Sequence, residues 1–368
     1  MRLYVPYTDE CEAEEVAKVL STGYLSQGPK VAEFEQTIAR LVGSRYAFAT
    51  SSCTTALHLS LVALGIAAGD EVLVPDLTFP ASANVVIQQK ARPVLVDVRL
   101  DTYTVDASDL EARVTRKTRA IMPVHAFGLS ADMDAVMHIA RRQQLIVIED
   151  AACALAARYH QAACGTIGDV GCFSFHPRKC ITTGEGGMIV TNNEALAERI
   201  GLLRSHGGVR GQAYYQFEAA GFNYRMSDLQ AAVGVAQMRK LDWIIARKRQ
   251  LALELSEMLT GVDGVSPPVE PEGCLHTFQS YVLMLDRALD RDKVIGAMRR
   301  RGVETTLGTY ALHAQPFFQR TYGYAPGDLP NSYEVFRRSL TLPLHPRMTL
   351  DDLLRVVLAL RESLEEVA

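Results

Sequence analysis

Six short runs in the first half of the chain are almost wholly apolar: EVLVP (71–75), PVLVD (93–97), RAIMPV (119–124), LIVIE (145–149), VGCFSF (170–175) and GMIVT (187–191). A strand with one wet face alternates apolar and polar residues, whereas a run without alternation suits a strand buried on both faces. Between these runs stand helix-like stretches, TALHLSLVALG (55–65), closed by Gly65, and MDAVMHIARRQQ (133–144). That rhythm predicts an α/β unit with a mainly parallel central sheet. In such sheets ligands bind beyond the carboxyl ends of the strands.

Near Ser227 the pattern changes. SDLQ reads as a capping box, with Ser227 as N-cap and Gln230 reaching back, and a helical run follows to about residue 260. VSPPVEPEG (265–273) is a proline-rich junction. Beyond it come the strand-like HTFQSYVLML (276–285), the helical DKVIGAMRRRG (292–302), a Tyr/Pro/Gly-rich loop over 307–330 and an amphipathic helix from about 349. The expected division is a large unit over 1–245 and a smaller α+β unit over 246–368, and 368 residues suffice for both.

Composition excludes several classes. A formal net charge of −4 without a basic stripe argues against nucleic-acid binding, and RKRQ (247–250) reads as a solvated helix face. No apolar run is long enough to span a membrane, and MRLYVPYTDECEAEE lacks the apolar core of a signal peptide. Seven cysteines without a CxxC pair suit reduced thiols, so a cytoplasmic protein is expected. Cys172, His176 and Cys180 are spaced four apart, as zinc ligands on a helix could be. GCFSFHP, however, alternates like a strand and ends in proline, so no metal site is expected.

Three places carry candidate chemistry. Asp150 follows a buried strand directly and emerges at its carboxyl end, either as a cap or as partner to a cation. ATSSCTTALHL runs hydroxyl residues into a helix, whose first amides are unpaired and can bind phosphate; Thr54 and Thr55 would supply amides and hydroxyls, or merely cap the helix. SFHPRKCITTGEGG (174–187) sets Ser174 and then Lys179 before a glycine-rich loop. A lysine near a carboxylate and an anion site suggests a Schiff base to a phosphate-bearing aldehyde, the parts that pyridoxal phosphate requires. A nicotinamide dehydrogenase fits poorly, because no GxGxxG follows the first strand.

With these residues in place the chain resembles the sugar aminotransferases of the DegT/DnrJ/EryC1/StrS family, which have fold type I. GYLSQGPKVAEFE, DEVLVPDLTFPASAN, the ADMD after HAFG, VIEDAA, SFHPRKCITTGEGG, GFNYRMSDLQAAVG and LPLHPRMT look like family blocks in family order. The resemblance implies roles. Lys179 matches the lysine that holds the cofactor aldehyde and later moves the proton. Asp150 matches the partner of the pyridine nitrogen, and Phe79 the ring that stacks on the cofactor. Thr54, Thr55 and Ser174 match the phosphate cup, and Asn223 a residue that the neighbouring subunit of a homodimer inserts there. Tyr310 and His313 resemble a segment near the sugar, and Tyr24 and Gly28 would border it.

Some positions depart from the family pattern. Cys53 and Thr55 stand where Gly and Ala are usual, Cys153 where a Gln or His contacts the cofactor, and Arg178 where a small residue is usual. The implied reaction moves an amino group from an amino acid, usually L-glutamate, through the pyridoxamine form to a nucleotide-linked keto sugar. The ITTGEGG loop resembles enzymes that aminate C4, and so favours a 4-keto-6-deoxyhexose. The alternatives are a 3-keto sugar or aminocyclitol aminotransferase, or a non-catalytic protein on the same fold. Family dehydratases carry His where Lys179 stands, which argues against that chemistry.

Overall fold

The computed structural model describes residues 1–211 and 214–368. Seven strands form the central sheet, in the order Tyr46–Thr50, Gly187–Thr191, Val170–Ser174, Ile146–Asp150, Thr118–Ile121, Glu71–Pro75 and Arg92–Val96. The last five are mutually parallel. Gly187–Thr191 runs antiparallel to both its neighbours. The six expected apolar runs are thus all strands of one sheet. Tyr46–Thr50, whose YAFAT pattern carries no strong signal, joins it as an edge strand.

Burial on both faces is visible in single strands. In Glu71–Pro75, Val72 and Val74 pack with Leu57, Leu59 and Leu61 of the helix Cys53–Ala63. Leu73 points the other way, into a cluster with Val136 and Ile139 of the helix Met133–Gln143. Val147 and Ile148 divide between the same two clusters. A residue period of two therefore sends the apolar side chains of these strands alternately into one layer or the other.

The run after Ser227 is two helices, Asp228–Met238 and Leu241–Leu259. The Ser227 capping box is present, with its hydroxyl accepting from the amide of Gln230 and the Gln230 side chain accepting from the Ser227 amide. The second helix turns Leu251, Leu255 and Leu259 into a separate core. That core is completed by Tyr281–Leu285, Ser339–Leu342 and the final helix Leu350–Val367, which Thr349 caps. The associated four-stranded sheet is antiparallel, in the order Val265–Ser266, Tyr281–Leu285, Ser339–Leu342 and Thr306–Leu307. The extreme N-terminus departs from the expected division. The amide of Leu3 donates to Glu304, the amide of Glu304 donates to the carbonyl of Met1, and Met1 packs on the second core.

Candidate active site

Asp150 closes its strand at the carboxyl end and is 5% exposed. Its Oδ2 accepts from the Ser82 hydroxyl at 2.7 Å, and its Oδ1 accepts from the amide of Ala152 at 3.1 Å. A carboxylate offers about four acceptor sites, so it retains capacity for a further donor. Ser82 sits near the start of the helix Ala81–Gln88, three residues after Phe79. Sequence reasoning passed over it, since a serine there reads only as a local cap.

Val170–Ser174 ends beside Asp150's strand, and the chain then bends through Pro177 to Lys179. Lys179 Nζ donates to Cys153 Sγ at 3.1 Å. Burial pulls against its ammonium; Cys153 by charge and hydrogen bond, then Cys53 and Asp150 by charge, outweigh that pull and hold its pKa above the ordinary value. One lysine, one carboxylate and two thiols therefore share one electrostatic site.

Ser52 caps the helix Cys53–Ala63. Its hydroxyl accepts from the amide of Thr55 at 3.1 Å, and the Thr55 hydroxyl accepts from the amide of Ser52 at 3.1 Å. The cap thus engages the groups that Thr55 was expected to offer an anion. Among the described residues, the amides of Cys53 and Thr54 have no acceptor, and these first-turn donors carry the positive end of the helix dipole. Gly187 makes this close assembly possible. A Cβ there would lie 2.4 Å from the carbonyl of Ser52 and 2.6 Å from the nitrogen of Cys53. Ser174 is buried, and its hydroxyl accepts only a long bond from the amide of His176, at 3.4 Å.

Phe79 is 66% exposed, an aromatic face with little protein over it. Tyr310 is brought beside it because Tyr310–Ala311 pairs with Leu77–Thr78, with Tyr310 opposite Thr78. Asn223 is exposed on a loop whose neighbour Tyr224 accepts from the amide of Ser51. Tyr24 is exposed. Gly28 is held by Asp228, which accepts its amide at 2.9 Å and leaves no room for a side chain, so its place is structural.

His313 is a correction. It is fully buried; its Nδ1 lies 2.6 Å from Asp76 Oδ2, its amide donates to Asp76 Oδ1, and its Nε2 faces the carbonyl of Pro326. Both ring nitrogens are committed, which leaves no face for a sugar. The pair instead ties the segment after Tyr310 to the sheet rim. Cys172 and Cys180 are buried in different clusters, and no group of metal-ligating side chains gathers among the described residues. No helix among the described residues is long and apolar enough to cross a membrane.

The residues present suit a phosphate-bearing aldehyde: free first-turn amides and Ser174 for the phosphate, Asp150 with spare acceptor capacity, and an amine in contact with a thiol. The fold is that of pyridoxal-phosphate-dependent aminotransferases of fold type I. More narrowly, residues 6–361 match the DegT/DnrJ/EryC1/StrS aminotransferase family, and the chain belongs to it. It is 40% identical to the GDP-perosamine synthase of Caulobacter vibrioides over 363 residues, 98% of this chain and 97% of that one. Its structure matches S. venezuelae DesV, solved in complex with a ketimine intermediate, with a TM-score of 0.92 at 34% identity over 100% of both chains. The PLP form of the putative sugar aminotransferase Spr1654 from Streptococcus pneumoniae matches with a TM-score of 0.96 at 25% identity, covering 100% of this chain and 99% of that one. The protein is a sugar aminotransferase.

Proposed function

We propose that this enzyme transfers an amino group from L-glutamate to a nucleotide-linked 4-keto-6-deoxyhexose, giving a 4-amino sugar. The observation that carries the reading is the amine of Lys179 held at one rim with Asp150, beside a helix start with free amides. When bound, pyridoxal phosphate supplies an electron-withdrawing ring that makes a substrate Cα proton acidic. Asp150 keeps a proton on the ring nitrogen, with Ser82 orienting the carboxylate. Lys179 would hold the cofactor aldehyde and, as general base and acid, would move the proton between the substrate carbon and the cofactor's aldehyde carbon. The amides of Cys53 and Thr54 and the Ser174 hydroxyl bind phosphate, with Thr55 shaping the turn. Phe79 covers the ring, and Tyr310 borders the sugar.

We place Asn223 of the partner subunit at the same phosphate, which makes the working enzyme a homodimer. The reading also includes a cytoplasmic location, which suits seven free cysteines. Two observations support amination at C4. The ITTGEGG loop is pinned by bonds from the Thr182 hydroxyl to the carbonyl of Phe175 and from the Thr183 hydroxyl to that of Glu185, and it resembles the loop of C4 enzymes. A relative at 40% identity is named GDP-perosamine synthase.

The test is spectroscopic first. Purified protein with pyridoxal phosphate should develop the visible band of lysine-bound cofactor, and L-glutamate should bleach it. A wild-type protein without the band sinks the reading. Turnover with 3-keto but not 4-keto sugar nucleotides would overturn the C4 assignment alone.

A further inference from the structure

Beside the Lys179 loop lies a pocket lined by Tyr4, Arg178, Lys179, Lys248 and His345 among others, with no aspartate or glutamate in its lining. Lys248 comes from the helix Leu241–Leu259 and is 4% exposed. An ammonium carries three donors, yet Lys248 has one acceptor, the carbonyl of Gln279 at 2.8 Å, and no ion-pair partner among the described residues. Elsewhere the fold supplies acids to its shielded lysines: Lys30 meets Glu15 and Glu33, and Lys240 meets Asp9 and Glu12. A buried charge without a counter-charge is strongly unfavourable. Burial accordingly pulls the pKa of Lys248 below its ordinary value, with only the thiols of Cys180 and Cys153 opposing.

The surroundings are built rather than loose. The side-chain amide of Gln279 donates to the carbonyl of Arg178 at 2.6 Å, so one residue holds both cationic positions. The guanidinium of Arg178 lies 5.3 Å over the Tyr4 ring, and the Tyr4 hydroxyl meets Ser280 at 2.9 Å. His345 Nδ1 is buried without a partner among the described residues. Unspent donors and uncompensated positive charge converge on one small space.

We infer that this pocket is the carboxylate subsite for the amino donor, with Lys248 and Arg178 as its cationic contacts. The inference rests on the proposed reading that an amino acid delivers its nitrogen at Lys179. In an α-amino acid the carboxyl carbon is two bonds from that nitrogen, so the carboxylate must lie close to the lysine. In a keto sugar nucleotide the diphosphate sits across the sugar ring from C4. The Tyr4 hydroxyl in this pocket lies within charge range of Lys179 and Cys153, which puts the pocket nearer the reacting centre than that phosphate.

The test uses the pyridoxal-phosphate-loaded enzyme, with glutarate as a non-reacting dicarboxylate probe. Arg178→Gln and Lys248→Met should each raise the KM for L-glutamate and the inhibition constant of glutarate about tenfold or more, the scale of a lost charge-assisted bond. Lys248→Arg, which keeps the charge, should restore most of the affinity. The KM for the keto sugar nucleotide should stay unchanged. If Lys248→Met does not fold, Arg178→Gln and Lys248→Arg carry the test. A normal visible band with an unchanged KM for L-glutamate in Arg178→Gln overturns the inference. So does a rise confined to the sugar nucleotide, which would make the anion a phosphate. Loss of the band in wild type would instead overturn the proposed function.

Discussion

The rim around Lys179 and the pocket around Lys248 use similar groups in opposite balance. Lys179 lies near Asp150 and touches Cys153, and its ammonium is favoured despite burial. Lys248 is more deeply buried, meets only a neutral carbonyl, and its ammonium is disfavoured. The two are neighbours, since Lys179 also lines the pocket that Lys248 lines. The difference shows how adjacent buried lysines can be set up for different work. Where the protein completes the charge balance, the site is ready for chemistry by its own residues. Where it leaves a lysine without a counter-charge, the ammonium is disfavoured until an anion arrives, the part we propose for the donor carboxylate.

The comparison can be broken at its strongest point first. Lys179→Ala should abolish both the visible cofactor band and turnover, checked by absorbance and by amino-sugar formation. A variant that kept turnover would remove Lys179 from the chemistry. Next, Asp150→Asn should leave the fold intact and lower turnover on the order of 10²-fold or more, because an oriented charge at the reacting ring is lost. Steady-state rates together with circular dichroism decide that outcome.

A third test asks whether charge balance elsewhere serves stability rather than chemistry. Asp76 and His313 form a fully buried pair at the sheet rim. Asp76→Asn should cost about 3–5 kcal/mol in denaturant unfolding, the range for breaking a buried pair from one side. A loss of sugar affinity without loss of stability would return His313 to the substrate site.

The smallest effect is expected at the N-terminal helix. Glu15 is held at a pKa of about 2, first by its hydrogen bond to Lys30, against an ordinary 4.5. A depressed carboxylate contributes stability that is present above its unfolded pKa and lost as the pH falls through the folded one. Wild type should therefore lose this contribution between pH 4.5 and about 2. Glu15→Gln should flatten that part of an acid-unfolding profile, and an unaltered profile would remove Glu15 from the ledger of compensated charges.

Much of the lysine rim was legible because it is local. Asp150 ends an apolar run, and Lys179 follows another across a proline, so each could be placed at a strand's carboxyl end from neighbouring residues alone. The cap at Ser227 was equally local. The direction of Gly187–Thr191 was not legible, because an apolar run says that a strand is buried and not which way it runs. Ser82 meets Asp150 across 68 positions, and a hydroxyl at a helix start looks like any other cap. Thr55 could be read as an anion ligand or as part of a cap, and only the fold shows its amide closing the cap with Ser52. His313 was placed near the sugar by resemblance to a family segment; its partner Asp76 lies 237 positions away.

The sequence by itself determined the layers and the reactive groups. Side-chain periodicity forces strands without a polar face into a doubly covered sheet, and only a lysine, a carboxylate and a helix start supply the needed chemistry. The tertiary structure alone decided which charges have partners. Lys248 sits in a run, RKRQ, that reads as a wet helix face, yet packing turns its side chain inward beneath the Lys179 loop. Charge balance depends on distances between residues far apart in the chain, and no local pattern carries those distances.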